Sequence, residues 1–334
     1  MVESGLEDRL EAGDRLTGDR LTIVEIARLY YEEGKTQEDI AKEMGISRST
    51  VSRSLKKARK IGAVQIRVVD PCFECTSIAR ELEARYGLRR AIVVPSVDTA
   101  GAVSAAEAEG LIKRDIGRAA AEYLSRVMRD GDILSTAWGS TLYEVAKALT
   151  PARPVKVRIV QLAGFVGNVA AHEQAGDLAR RIASAFGGEW YLLPAPLVVE
   201  NKTTRDAILH EPAISQVLGM ARQASVALVG IGTCDASSLM VRAGYLREED
   251  LKELGARGAV GDVCYRYYDE DGNPCPSEWD DRVIAITLQE LRDIPLRVGA
   301  AGGERKIKAI RSALKGGYIN VLITDETAAR GLLA

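Results

Sequence analysis

The chain has 334 residues, 46% of them hydrophobic and 28% charged, with a formal net charge of −2. That length exceeds one typical domain and allows a large core beside a smaller module. No run of about eighteen apolar residues occurs and the opening MVESGLEDRLEAGDR is acidic, not a basic leader, so the composition argues against a helical membrane span and leads to the expectation of a cytoplasmic protein with no membrane partner.

Residues 1–19 are mostly charged or small and read as a flexible tail. The segment TQEDIAKEMGISRSTVSRSL, Thr36 to Leu55, then spaces its residues as a helix-turn-helix requires. Thr36 is placed to cap a helix in which Ile40, Ala41 and Met44 share one face. Gly45 supplies the left-handed backbone needed where that helix ends. Ala41 is small where two helices cross closely. Ser47 caps a second helix whose Val51 and Leu55 face inward one turn apart.

The outer face of that second helix is basic and hydroxylated, as a recognition helix needs in order to meet base edges with its first turns and phosphates with its later ones. The candidate DNA-contacting residues are Thr36, Gln37, Arg48, Ser49, Thr50, Ser52, Arg53, Lys56 and Lys57. Between Lys35 and Lys60 there are eight Lys or Arg against Glu38, Asp39 and Glu43. A basic segment in a nearly neutral chain suggests a small module for double-stranded DNA joined to something else. The alternative is an ordinary helical hairpin with a solvated basic face. The alternating run Val64–Val68 predicts a short strand, a wing, which completes a DNA-binding domain over residues 20–69.

Residues 70–334 alternate apolar strands with amphipathic helices. The pattern predicts strands at Ala91–Val94, Asp132–Thr136, Val155–Gln161, Val226–Ile231, Leu296–Ala300 and Ile319–Thr324, and helices including Leu111–Met128, Thr141–Leu149, Asp177–Phe186 and Lys306–Leu314. The fold class is therefore α/β, with a mostly parallel sheet covered on both faces. Ligands of such sheets bind at the carboxyl ends of the strands.

Those ends are rich in glycine and hydroxyls. Gly139, Ser140 and Thr141 follow the second strand and open a helix, where free N–H groups suit a phosphate. Gln161 and Gly164 follow the third strand, and Gly230-Ile231-Gly232 follows the fourth. Gly302 and Gly303 precede Lys306 at the start of another helix. Arg242 offers a guanidinium for phosphate, or else a surface ion pair. Asp262 offers a carboxylate for sugar hydroxyls, or else a cap or turn residue.

Five cysteines in a chain this long do not make a dense disulfide framework. Cys72 and Cys75 form a lone Cys-x-x-Cys with no second pair, so no metal site is expected, and two thiols at the junction between modules are the preferred reading. His172 is a candidate for the pocket, and His210 reads as the end of a helix. With few aromatic residues the chain gives no sign of an RNA-stacking platform.

The segments ARLYYEEGKTQEDIAKEMGISRSTVSRSLKKARKIGAVQI, WGSTLYEVA, VQLAG, YLLPAPLVVE, GIG, GAVGD, YYDEDGNP, RVIAITLQELR, AGGERK and ITDETAARGLL together resemble the SorC/DeoR-type bacterial transcriptional regulators, in order as well as content, from about residue 21 to the C-terminus. The resemblance implies a winged helix-turn-helix followed, over residues 70–334, by an effector and oligomerisation domain similar to ribose-5-phosphate isomerase, glucosamine-6-phosphate deaminase and CoA-transferase folds. It implies a homodimer or homotetramer on operator DNA, no catalytic residues, and no cofactor beyond a phosphorylated sugar effector. It carries effector contacts onto Gly139, Ser140, Thr141, Gln161, Gly164, Arg242, Asp262, Gly302, Gly303 and Lys306. The nearest likeness is to regulators of deoxyribonucleoside operons, which suggests deoxyribose 5-phosphate or another pentose phosphate. The chain departs from that subgroup at Ala163, where a lysine is expected, and at Phe165, where a second glycine is expected. Covalent capture of a sugar aldehyde by a lysine at that strand end is therefore excluded.

Two functions from different classes follow. The first is a ligand-gated transcription factor, a repressor of a carbohydrate or nucleoside catabolic operon. The second is an active sugar-phosphate isomerase or deaminase carrying a DNA-binding appendage, with Asp262 and Lys306 as base and electrophile. The sequence favours the first, because a helix-turn-helix has no purpose in a plain metabolic enzyme.

Overall fold

A computed structural model describes residues 22–64, 73–96, 104–165, 175–236 and 238–334. The chain divides into two compact units, Met1–Asp70 and Pro71–Ala334. The first contains α1 (residues 22–31), α2 (Gln37–Glu43) and α3 (Arg48–Lys60). Ile23, Ile26, Ala27, Ile40, Val51, Leu55 and Ala58 form its core. The strand expected at Val64–Val68 lies outside the described residues apart from Val64, as does the tail of residues 1–19.

The second unit begins with α4 (Phe73–Tyr86), β1 (Arg90–Val94), α5 (Ala105–Val127), β2 (Ile133–Thr136), α6 (Ser140–Ala148), β3 (Arg158–Gln161), α7 (Ala175–Phe186) and β4 (Glu189–Tyr191). It continues through α8 (Lys202–His210), α9 (Pro212–Arg222), β5 (Val226–Val229), β6 (Gly232–Thr233), α10 (Leu239–Arg242), α11 (Glu248–Ala256), β7 (Gly261–Val263) and β8 (Arg266–Tyr268). The last elements are α12 (Leu288–Asp293), β9 (Leu296–Ala300), a 3-10 turn (Glu304–Lys306), α13 (Ile307–Lys315), β10 (Val321–Asp325) and α14 (Glu326–Leu333).

Seven strands make one sheet in the order β1-β10-β9-β5-β2-β3-β4, every pair parallel. Alternate residues enter opposite cores, as the two-residue period of a strand dictates. Leu134, Val226, Leu228, Val321 and Ile323 pack with α5, α6 and α7 on one face. Ile133, Ala227, Val229 and Leu322 pack with α4, α9, α13 and α14 on the other. Strands buried on both faces read as continuous apolar runs, which is why β5 (VALV) and β10 (VLITD) stand out in the sequence.

Several boundaries differ from the sequence expectation. The run Val155–Gln161 joins the ladder only from Arg158, because Val155 donates its N–H to Phe186 O at the end of α7 (2.7 Å). The run Val226–Ile231 pairs only as far as Val229. α5 starts earlier than predicted, at a cap where Ser104 Oγ accepts the Glu107 N–H (3.2 Å). Lys306 lies in the 3-10 turn before α13, not in the helix.

From β2 the chain steps outward to β3 and β4, then returns to β5 on the other side of β2. The loops leaving β2 and β5 therefore diverge, and a crevice at their carboxyl ends is the place such sheets bind ligands. Beyond β5 stands a small antiparallel sheet, β6-β7-β8.

Candidate DNA-binding and ligand-binding sites

The helix-turn-helix is held by its caps. Thr36 Oγ1 accepts the Asp39 N–H (3.2 Å) and Asp39 Oδ2 accepts the Thr36 N–H (3.3 Å), a reciprocal box; the Thr36 hydroxyl donating to the same Oδ2 (2.6 Å), and then the Thr36 N–H, hold the Asp39 carboxyl below its usual range. Gly45 has φ +65° and the Ile46 N–H donates back to Ala41 O (3.0 Å), closing α2. Ser47 Oγ accepts the Thr50 N–H (3.1 Å) and opens α3.

Val51, Leu55 and Ala58 bury one face of α3, which leaves Arg48, Ser49, Arg53, Lys56 and Lys57 exposed. Among the described residues no carboxylate pairs with Arg48, Arg53, Lys56 or Lys57, whereas Arg28 pairs with Glu32 and Lys35 with Glu33 and Glu43. Ser52 is half-buried, and so is Thr50, whose hydroxyl lies 2.8 Å from Ser47 Oγ. Gln37 and Arg48 line an open concavity of about 610 Å³ with Tyr30, Lys35, Thr36 and Glu38, where the N-terminal ends of α2 and α3 meet. Unpaired cations beside two helix N-termini suit a polyanion.

The second site lies at the carboxyl ends of β2, β5 and β9. Thr136 Oγ1 donates to Leu228 O (3.0 Å), tying β2 to β5 at the switch point. Gly139 precedes α6 without a side-chain cap, and among the described residues no side chain accepts from the first N–H groups of that helix. Ser140 beside them is exposed and Thr141 is buried. Lys306 donates Nζ to Ile231 O (2.7 Å), two residues beyond the end of β5. Burial pushes the pKa of its ammonium down, nearby Lys113 adds to that, and Asp262 and Glu109 offset part of it.

Asp262 reaches the same region from the small sheet, where Gly232 is its partner across β6 and β7. Burial pushes its carboxyl up to about 6, against the Tyr265 N–H that donates to Oδ2 (3.1 Å) and against Lys306. The β7–β8 connection is a two-residue turn in which Cys264 (φ 52°) and Tyr265 (φ 65°) are both left-handed without being glycine. Such turns favour Asn-Gly, and each non-glycine residue there costs roughly 1–2 kcal/mol. Three contacts offset that cost: Asp262 accepts the Tyr265 N–H, Trp279 Nε1 donates to Tyr265 O (2.8 Å), and Tyr265 OH donates to Trp138 O (3.3 Å). Tyr265 thus fastens the hairpin carrying Asp262 to the residue before Gly139.

The structure gives some predicted contacts other work. Gln161 is buried, its Oε1 accepting the Leu193 N–H (2.8 Å). The Gly164 N–H donates to Ile284 O (2.9 Å), and a Cβ there would stand 2.5 Å from Pro196 O, so backbone packing accounts for that glycine. The Gly303 N–H donates to Asp325 Oδ1 (2.6 Å), and a Cβ on Gly302 would meet the same oxygen at 2.2 Å. Asp325, which holds the Gly302–Gly303 turn, is not singled out by the sequence reading. Its signal was the Asp that caps ETAARGLL, the last helix.

Arg242 closes α10, and its side chain lies outside the described residues, as do His172 and Cys72. His210 ends α8 and Cys75 is buried in α4. Ala163 is buried against Ala285, and Phe165 is half exposed. No described helix is long and apolar enough to cross a membrane.

A helix-turn-helix with an exposed basic face, followed by a parallel sheet whose strand connections reverse direction between β2 and β5, is the make-up of a DNA-binding regulator. Comparison with known proteins gives the family. Residues 70–334 match the Sugar-bind model of sugar-binding domains, and residues 18–60 match sigma-70, region 4. The chain belongs to the SorC/DeoR-type family of sugar-binding transcriptional regulators. It is 38% identical to the deoxyribonucleoside regulator of Bacillus subtilis, over 93% of this chain and 96% of that protein. It is 29% identical to the sorbitol operon regulator of Klebsiella pneumoniae, over 93% and 97%. The crystal structure of full-length SorC from Klebsiella pneumoniae superposes with a TM-score of 0.72 at 31% identity, covering 95% of this chain and 99% of that one. These relatives are transcriptional regulators, so the reading of the chain as a metabolic enzyme with an appended DNA module is set aside.

Proposed function

We propose that the chain represses a carbohydrate or nucleoside catabolic operon and that a phosphorylated sugar, bound at the β2/β5 switch point, controls it. What supports this reading is a helix start with no side-chain cap (Gly139–Thr141) after β2, the Lys306 ammonium on Ile231 O after β5, and the Asp262 carboxylate against Gly232 one residue further on. Amides, hydroxyl and ammonium meet the phosphate, and Asp262 accepts from sugar hydroxyls.

A pentose phosphate such as deoxyribose 5-phosphate is the effector this reading favours, on the likeness to the deoxyribonucleoside regulator. Ala163 excludes covalent capture by a lysine at that strand end. The regulator works in the cytoplasm as a homodimer or homotetramer, because a single helix-turn-helix reads only a few base pairs and a twofold pair reads a palindrome. A thermal-shift screen of phosphorylated sugars tests the ligand class, since a ligand at a hundredfold its dissociation constant adds about 2.7 kcal/mol to the state it binds. No response to any phosphorylated sugar, with a response to unphosphorylated ones, would overturn it.

A further inference from the structure

The Asp325 side chain is almost wholly buried at the end of β10 and holds two backbone amides at once. Oδ1 accepts the Gly303 N–H (2.6 Å) in the turn that leads to Lys306, and Oδ2 accepts the Ala328 N–H (3.3 Å) in the first turn of α14. The fit is close, because a Cβ on Gly302 would stand 2.2 Å from Oδ1. One carboxylate therefore joins a wall of the crevice to the start of the C-terminal helix.

The other end of α14 is joined in turn to α4. Tyr86 OH donates to Leu332 O (2.8 Å) and Arg85 Nη1 donates to Leu333 O, so the last turn of α4 holds the final carbonyls of α14. The flank of α14 is fixed as well: Arg311 Nη2 donates to Gly331 O (2.5 Å), and a Cβ on Gly331 would meet Ile307 Cδ1 at 2.3 Å. A helix held this tightly moves as a body, and interiors packed to this density pass on small shifts. α4 is the first described helix of its unit and follows the DNA-binding unit in sequence.

We propose that Asp325 is the positioning residue through which occupancy of the crevice at the Gly302–Gly303 turn is passed to α14 and from there to α4. The proposal rests on the ligand site described under Proposed function. An anion arriving beside Lys306 competes with Oδ1 for the Gly303 amide. Any shift of that amide pulls on a carboxylate whose second oxygen caps α14. A carboxylate can do this because it has two acceptor oxygens. Asparagine has one, so it can cap α14 or hold Gly303 but not both.

The test is amide hydrogen exchange on the full-length protein, with deoxyribose 5-phosphate and inorganic phosphate as probes, following residues 300–306 and 326–333. In the wild type the probe is expected to slow exchange over 300–306 and to change exchange over 326–333 several-fold. In Asp325→Asn, which keeps a good cap for α14, 300–306 should still respond while 326–333 no longer does. A purely structural Asp325 would leave the second response intact in Asp325→Asn. That result, or a wild-type α14 that ignores a ligand protecting 300–306, would overturn the proposal and leave the ligand site standing. If neither probe protects 300–306, the ligand-site reading itself fails and this inference with it.

Discussion

The carboxylate of Asp262 leans over Gly232 so closely that its Oδ1 lies 2.0 Å from where a β-carbon at 232 would stand. The two residues are partners across the small antiparallel sheet, so Asp262 stays in the crevice only while position 232 has no side chain. Gly232→Ala is expected to displace that carboxylate and to weaken sugar-phosphate binding by about tenfold or more, which corresponds to roughly 1.4 kcal/mol. Operator binding without effector should remain, because the residue belongs to the other unit. Calorimetry beside an operator gel-shift checks both, and unchanged ligand affinity would remove Asp262 from the site.

Asp262 also sets a pH dependence. Its carboxyl is raised by burial from 3.8 to about 6. Between those values the native state holds a proton that the unfolded chain has released, so stability falls as pH rises through the window and the full penalty applies above about 6. The penalty is at most about 3 kcal/mol. Asp262→Asn should flatten denaturation midpoints measured from pH 4 to pH 7. An unchanged slope would place the source of any pH dependence elsewhere.

The two glycine positions at strand ends separate ligand binding from packing. A Cβ at Gly164 would stand 2.5 Å from Pro196 O and 2.6 Å from Ala195 O, both backbone atoms that cannot swing away. Gly164→Ala should therefore destabilise the protein by about 1–3 kcal/mol, seen as a lower Tm. At Gly139 a Cβ meets only Leu142, at 3.7 Å, and φ is 171°, which any residue adopts. Gly139→Ala should leave Tm nearly unchanged and act on ligand affinity alone. A larger Tm loss at 139 than at 164 would contradict this division.

How much of this was legible in the sequence depends on where the information sits. The caps of α2 and α3, the turn at Gly45 and the central strands announce themselves locally, because capping, left-handed turns and apolar runs are properties of a few consecutive residues. Glycines that bear on a ligand and glycines that fit a neighbouring backbone look alike in a sequence, so the packing of Gly164 against Pro196 and its bond to Ile284 are not legible there. The Cys264–Tyr265 turn was invisible for the opposite reason. Its left-handed pair contains neither Gly nor Asn and is held by Trp279 and Trp138, both distant in the chain. Asp325 was readable as a cap, but its bond to Gly303 arises only when β9 and β10 are neighbours.

The exposed cations of α3 make a prediction for the other unit. Arg48→Ala with Arg53→Ala should reduce discrimination between operator and random DNA, since each bidentate base contact is worth about 1–3 kcal/mol. Lys57→Ala should weaken all sequences alike and lower the salt dependence by about one unit. Competition binding at several salt concentrations measures both, and unaltered operator preference in the double arginine variant would rule out α3 as the reading helix.

The central claim is that sugar-phosphate binding and operator binding are coupled. It is tested most directly by titrating the stabilising sugar phosphate into the protein alone and into the protein saturated with operator DNA. Linkage requires operator to shift effector affinity by the same factor as effector shifts operator affinity, a coupling expected at about 1–3 kcal/mol. Effector is expected to bind more weakly in the presence of operator, as for a repressor released by its ligand. Equal affinities in the two titrations would contradict it, even if both ligands bind.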